Sequence, residues 1–495
     1  MAASSVHTGA AHNRHPEPEM ADPTRFYANR QRVYPKAVHG PARTAKWIIL
    51  GACLAVYYIL PWLRWDRGPG HPNQMVLLDL PHRRFYFAWL ELWPQDIYVL
   101  AGALILGAVG LFLVTSLFGR VWCGYTCPQT VWTDLFMWIE RRIEGDRNER
   151  MRRDEGPMTL DKAWRKVAKH AAWLAVAFWT GGAWIMYYVD APTAVREFWT
   201  GTGSASLYGF TFLFTMTTYL LAGWAREQVC TYMCPWPRFQ SAMLDEQSLT
   251  VTYQRWRGEP RGHGKRDPAH LGNKRLGDCV DCGACVHACP TGIDIRDGIQ
   301  LECINCGLCV DACNEIMVKT GQPKYLITWD TLARQSAKAS GTFEKLRLFR
   351  PRTVIYGSVM TAAIMAMITA LVLRPTQELF VQHDRAPVFV QEPDGGVRNG
   401  YVVAISNKTL HDAAYVLHAD GMPGARLRLT DAGKPAAQEL TLKVPADSVG
   451  EFRVLLSTPT PQAGGHPVDF VIHNEGSHNR SVYRSVFIGP GSAGS

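Results

Sequence analysis

Cys279-Val-Asp-Cys282-Gly-Ala-Cys285-Val-His-Ala-Cys289-Pro290 is followed by Cys303-Ile-Asn-Cys306-Gly-Leu-Cys309-Val-Asp-Ala-Cys313-Asn314, and these two runs decide how the chain is read. Each has the C-x-x-C-x-x-C-x-x-x-C spacing that gives three thiolates to one four-iron cluster and sends the fourth to the neighbouring cluster. The spacing assigns Cys279, Cys282, Cys285 and Cys313 to one 4Fe-4S cluster, and Cys303, Cys306, Cys309 and Cys289 to the other. Zinc also takes four thiolates per site, but structural zinc sites rarely repeat such a frame twice in so short a stretch. Gly283 and Gly307 follow the second cysteine of each run, where a tight loop around sulfide favours a residue without a side chain. Pro290 matches the usual ending of such a run; Asn314 departs from it without removing a ligand. Two adjacent clusters make a conduit for single electrons.

Outward from this insert, twelve of the 13 cysteines fall in four tight motifs. The other two motifs are Val121-Trp-Cys123-Gly-Tyr-Thr-Cys127-Pro128 and Gln228-Val-Cys230-Thr-Tyr-Met-Cys234-Pro235. Both follow an uncharged stretch and an arginine (Arg120, Arg226), and they share their Tyr and Pro offsets, which suggests a duplicated unit. Proline disfavours the α region for the residue before it and suits the first turn of a new helix, so Cys127 and Cys234 should mark breaks. Their sulfurs would lie near a helix N-terminus, where the dipole lowers a thiol pKa. Four converging thiols make a soft site suited to Cu(I), a disulfide relay or a further cluster. Cys53, alone in an apolar stretch, reads as packing.

The uncharged stretches are Trp47 to Leu63, Ile97 to Phe118, Ala171 to Val189, Leu207 to Ala225 and Val354 to Leu373. Each is long enough to cross about 30 Å of hydrocarbon as a helix, the first only just. A purely soluble protein is excluded. The first forty residues are polar and lack a signal-peptide core, so a disordered N-terminus is expected there. Residues 141–169 hold ten Lys and Arg against one, Arg196, in 190–204, and the flanks before the first and last spans hold six each. Lys and Arg favour the cytoplasmic side, which places the N-terminus and residues 226–352 in the cytoplasm and the tail in the periplasm. Residues 64–94 carry four Arg on the outer side, against this trend. The cytoplasm also keeps cluster thiols reduced.

The net charge of +9 reads as loop charge of a membrane protein, with no nucleic-acid partner implied. None of the 16 His lies in an uncharged stretch, and no C-x-x-C-H, G-x-G-x-x-G or P-loop motif occurs. Bis-His haem, haem c and a bound nucleotide are therefore not indicated. Electrons would arrive from quinol in the bilayer or from a soluble ferredoxin.

From about residue 376 the pattern alternates in short runs: Tyr401 to Ser406, Ala414 to His418, Arg426 to Thr430, Glu439 to Val444, Phe452 to Ser457, Val468 to His473 and Ser481 to Ile488. Seven short strands predict an immunoglobulin-like sandwich, held by packing alone because it contains no cysteine. His411, His418, His466, His473 and His478 read as surface residues, and the module as one for interaction.

This order of parts resembles the FixG/RdxA/CcoG family, accessory proteins for assembly of the cbb-type cytochrome c oxidase. The likeness is specific in Arg120-Val-Trp-Cys-Gly-Tyr-Thr-Cys-Pro-Gln-Thr-Val-Trp-Thr-Asp134, Glu144-Gly-Asp-Arg147 and Arg257-Gly-Glu-Pro-Arg261. The membrane half is also similar to the polyferredoxin partners of periplasmic nitrate reductase. The first resemblance implies reduction of Cu(II) to Cu(I) and delivery into the oxidase copper centre, with Cys123, Cys127, Cys230 and Cys234 as the site. It implies oxidase assembly factors or a copper transporter as partners in the bacterial inner membrane, with a homodimer compatible. The alternatives are a quinol-linked electron carrier without a metal substrate and a membrane redox sensor. The expected parts are a cytoplasmic N-terminus (1–45), a four-helix membrane domain (46–250), a ferredoxin-like insert (251–352), a fifth span (353–375) and a periplasmic β domain (376–495).

Overall fold

The computed structural model describes residues 32–68, 71–263, 276–393, 395–409, 411–430, 435–459, 463–474, 476 and 479–490. Of the N-terminal segment expected to be disordered, residues 1–31 lie outside them, as does His478, whereas residues 32–45 are ordered, with Lys36 and Ala37 hydrogen-bonded into the fold and a helix from Pro41. Four described helical segments are long and apolar enough to cross a membrane: Pro41–Trp62, Pro94–Phe118, Ala205–Ala225 and Pro351–Val372. They correspond to four of the five expected spans, to within one residue at the C-terminal end. The expected span Ala171 to Val189 falls in the helix Leu160–Ile185, which begins on a charged stretch and ends four residues early. One face of its apolar half packs inward, while Leu174, Phe178, Trp179 and Trp184 are exposed on the other. Trp173, Ala177, Gly181 and Ile185 are buried, and a Cβ on Gly181 would sit 2.8 Å from the backbone nitrogen of Thr215. Small residues allow that approach, the packing mode of helices in lipid.

Residues 64–94, expected as a plain outer loop, contain a three-stranded antiparallel sheet of Val76–Asp79, Arg84–Phe87 and Leu90–Leu92. The helix Pro128–Glu144 follows the first Cys-Pro break and carries acidic side chains into the interior. Asp134 accepts two hydrogen bonds from Arg43, at 2.9 and 2.8 Å, with Lys46 at 3.7 Å. Glu140 holds Arg150 at 2.6 Å, Arg226 at 2.8 Å and Lys169 at 3.4 Å. Burial favours neutral carboxyls, but these cations outweigh it and keep both acids below their usual range.

The insert is not a separate body. Residues 1–66 and 72–364 form one compact unit, so membrane helices and insert pack together. Thr250–Tyr253, at the expected boundary, pairs antiparallel with Ile327–Asp330 across the whole cysteine-rich stretch. The chain before the first span is also tied in. Lys36 N–H donates to the carbonyl of His287 at 2.7 Å, Ala37 N–H to Asp146 at 2.9 Å, and Arg43 N–H to Asp311 at 2.8 Å.

The second unit comprises residues 67–71 and 365–495. Its β domain has two sheets. One orders Arg426–Leu429, Ser448–Thr458, Val397–Asn407 and Gln377–His383, with Val390–Gln391 added on Val397–Asn407; the other orders Glu439–Val444, Ala413–Asp420, Gly465–Asn474 and Arg480–Ile488. All seven expected strands are present, and Gln377–His383 and Val390–Gln391 are additional. Inward residues such as Val403, Leu417, Val454 and Phe470 are fully buried in one core, and the Tyr401 hydroxyl donates to the carbonyl of Val486 at 2.8 Å.

Candidate functional site: two thiol-lined cavities and a four-thiol junction

The insert encloses two small cavities. Cys279, Cys282, Cys285 and Cys313 line one, against Tyr253, Met317 and Ile327. Cys289, Cys303, Cys306 and Cys309 line the other, with Cys285 at its edge. The grouping follows the crossover expected from the spacing. The helix Leu308–Lys319 presents Cys309 to one cavity and, about one turn later, Cys313 to the other.

The two runs fold alike. Asp281 and Asn305 take φ of 53° and 57°, and Gly283 and Gly307 take 65° and 74°. At Gly307 a Cβ would come within 2.0 Å of the Trp329 ring, so that position requires glycine for space as well as backbone. Burial pushes the thiols of Cys285, Cys303 and Cys313 up to about 12. Such thiols stay protonated unless a cation binds, and an all-sulfur, enclosed donor set of this kind fits an iron–sulfur cluster.

The two Cys-Pro motifs also come together. Cys123 lies in the short helix Val121–Tyr125, and Cys127 is the extended residue before Pro128, capping Pro128–Glu144. Cys230 lies in a π-helical turn, Val229–Met233, and Cys234 is extended before Pro235. The pre-proline breaks therefore form as expected. The backbone N–H of Cys127 bonds the carbonyl of Trp122 at 2.9 Å, and that of Cys234 bonds Val229 at 2.8 Å, the same five-residue step in each motif. Burial, then the charges of Cys127, Cys123 and Cys234, pushes Cys230 up to about 12. Cys123 rises to about 11 through burial and Cys127, and its thiol donates to Oε1 of buried Gln240 at 3.1 Å. Cys53 takes no part and sits in the helix Pro41–Ile59.

The junction is docked on the second cavity. The Tyr125 hydroxyl donates to the carbonyl of Cys306 at 3.0 Å. A Cβ on Gly124 would lie 2.6 Å from the carbonyl oxygen of Ile304 and 3.0 Å from Cα of Cys306. Cys123 packs against Ile304, Cys306 and Leu308. Asn305 accepts from Val251 N–H at 2.6 Å and donates to the carbonyl of Phe118 at 3.1 Å, tying the run to the end of a membrane span. Arg120, Gln240 and Asn305 were not singled out as site residues by spacing. The signal for Arg120 is its place three residues before Cys123 in an otherwise apolar stretch. Among the tail histidines, His418 and His473 lie on neighbouring strands with ring centres 5.9 Å apart, and His411 is exposed.

A 4Fe-4S dicluster domain matches residues 225–332, a 4Fe-4S binding domain matches 100–145, and the IG-like fold at the C-terminal of FixG matches 367–490. Nitrogen fixation protein FixG of Rhizobium meliloti (strain 1021) is 45% identical over 497 residues, covering 95% of each chain. Proteins RdxA and RdxB of Cereibacter sphaeroides are 44% and 43% identical, covering 89% and 94% of this chain and 92% and 98% of their own. The chain belongs to the FixG/RdxA family of iron–sulfur electron-transfer proteins.

Proposed function

We propose that this protein reduces Cu(II) to Cu(I) at Cys123, Cys127, Cys230 and Cys234, for maturation of the copper centre of a cbb-type cytochrome c oxidase. The observation that carries the reading is the docking of a four-thiol junction on the backbone of Cys306. Cys279, Cys282, Cys285 and Cys313 would hold one 4Fe-4S cluster, and Cys289, Cys303, Cys306 and Cys309 the other. Such clusters, when bound, store and pass single electrons.

The chain's own residues do the rest. The π turn and the pre-proline breaks bring four soft donors within electrostatic reach of one another, and soft donors prefer Cu(I) to Cu(II), which favours uptake of the electron: Cu(II) plus one electron gives Cu(I). Gln240 orients Cys123 by accepting a hydrogen bond from its thiol. Copper binding releases the thiol protons. The chain would sit in the bacterial inner membrane with the insert cytoplasmic and the β domain periplasmic, receiving electrons from quinol or a ferredoxin and passing Cu(I) to oxidase assembly factors or a copper transporter.

A second reading, a quinol-linked carrier with no metal substrate, is favoured by an apolar cavity of about 270 Å³ beside Pro128, lined by Tyr57, Trp132, Trp184 and Phe214. Copper and iron content of anaerobically purified protein separates the readings. The copper reading expects copper in stoichiometric amount, lost when the four thiols are replaced, with about eight irons per chain retained for two clusters. Absence of copper binding would favour the carrier, and about twelve irons a further cluster at the junction.

A further inference from the structure

Arg120 is 4% exposed and hydrogen-bonds only to carbonyl oxygens, while the carboxylate of Glu302 acts on it through space without pairing with it. Its guanidinium donates to the carbonyls of Leu301, of Gln300 and Cys303 at 3.4 Å each, and of Pro237 at 3.0 Å. Nε has no partner, and no ion pair to a carboxylate joins Arg120 among the described residues. Other buried arginines of this unit are neutralised: Arg43 by Asp134 at 2.8 Å and Arg226 by Glu140 at 2.8 Å.

The contrast is sharpest between the two cavities. Beside the first, Arg296 is clamped by Asp294 at 2.6 Å and Asp281 at 2.5 Å, so it brings little net charge. Beside the second, Arg120 shares one small cavity with Cys303, Gln300 and Asn305, and it lies within electrostatic reach of Cys123 as well. An unneutralised cation stabilises whichever neighbouring group gains an electron, and low local dielectric strengthens the effect.

We propose that Arg120 is the positioning residue between the insert and the four-thiol junction, and that its charge, paired with no carboxylate, makes the group held by Cys289, Cys303, Cys306 and Cys309 the more easily reduced of the two. The resulting order is downhill from Cys282, the exposed member of the cysteine set, toward Cys123. A one-electron transfer in that direction makes and breaks no bond in the chain. The inference rests on the two cavities being iron–sulfur sites.

The test is an equilibrium redox titration of full-length, iron-loaded protein in detergent without copper, followed by electron spin resonance. Cys309→Ser and Cys282→Ser assign the two signals. Arg120→Gln should lower the midpoint of the Cys309-dependent signal and leave the other in place, while Arg120→Lys should restore most of the shift. Asn305→Asp keeps Arg120, adds a carboxylate to the same cavity and retains the acceptor for Val251 N–H, so it should move the same signal in the same direction and decides the matter if Arg120→Gln fails to load iron. Unchanged midpoints, or equal shifts of both signals, would overturn the proposal. Absence of two iron–sulfur signals from the unaltered protein would instead refute the cluster reading beneath it.

Discussion

The hydroxyl of Tyr125 donates to the carbonyl oxygen of Cys306 at 3.0 Å, so a residue inside the first Cys-Pro motif is bonded to the backbone of a cysteine in the insert. Removing that hydroxyl leaves a buried carbonyl short of a partner, at a cost of about 1 kcal/mol. Tyr125→Phe should therefore lower the thermal midpoint slightly and slow copper reduction while keeping its iron. Gly124→Ala is the severe form of the same test, because its Cβ meets backbone oxygen at 2.6 Å, which cannot rotate away. The reduction rate of the two variants should fall in that order, and iron content should fall only in Gly124→Ala.

Cys313 belongs to the second run in sequence but lines the first cavity. Cys313→Ala should damage the cluster that also uses Cys279, Cys282 and Cys285, and spare the other. Spin-resonance spectra of the variant decide it, and selective loss of the Cys303-dependent signal would reverse the assignment.

Burial alone would raise the pKa of Asp154, but hydrogen bonds from Lys166 and Tyr34 and the charge of Arg32 outweigh it and hold it down to about 2. A depressed folded-state value stabilises the protein above the unfolded value, about 3.9, and that contribution disappears as pH falls through about 2. Asp154→Asn should thus be less stable at neutral pH by about 1 kcal/mol after allowance for solvent screening. The gap should be constant from pH 7 to about 5 and shrink below about 4. Thermal midpoints of both proteins across that range measure it.

The proposed topology expects a reporter active only in the periplasm to give signal after residues 200 and 480 and none after residue 330. Signal at 330 would put the insert outside and remove the reducing environment its thiols need.

The cysteine frames were legible because ligand spacing is local: three thiolates of each set come from one tight loop. The strand pattern from Tyr401 onward was legible for a similar reason, since alternate residues such as Tyr401, Val403 and Ile405 are fully buried. Gln377–His383 escaped notice because it begins just after the last span and offers only Leu379 and Val381 as buried apolar positions. The charged interior around Asp134 and Glu140 was not legible either. Its partners Arg43, Lys46, Arg150, Lys169 and Arg226 are scattered along the chain, and by sequence they count equally well as loop charge. The same holds for Arg120 and Asn305, whose roles arise from contacts 54 to 187 residues away along the chain.

The central claim is tested most directly by a single-turnover assay. Protein is reduced without oxygen, freed of reductant and mixed with Cu(II), and Cu(I) is counted with a chelator in the unaltered protein and in Cys127→Ser, Cys234→Ser. The account predicts that the double variant yields no Cu(I) above the level without protein while its iron content is unchanged. Equal Cu(I) from both proteins would contradict it.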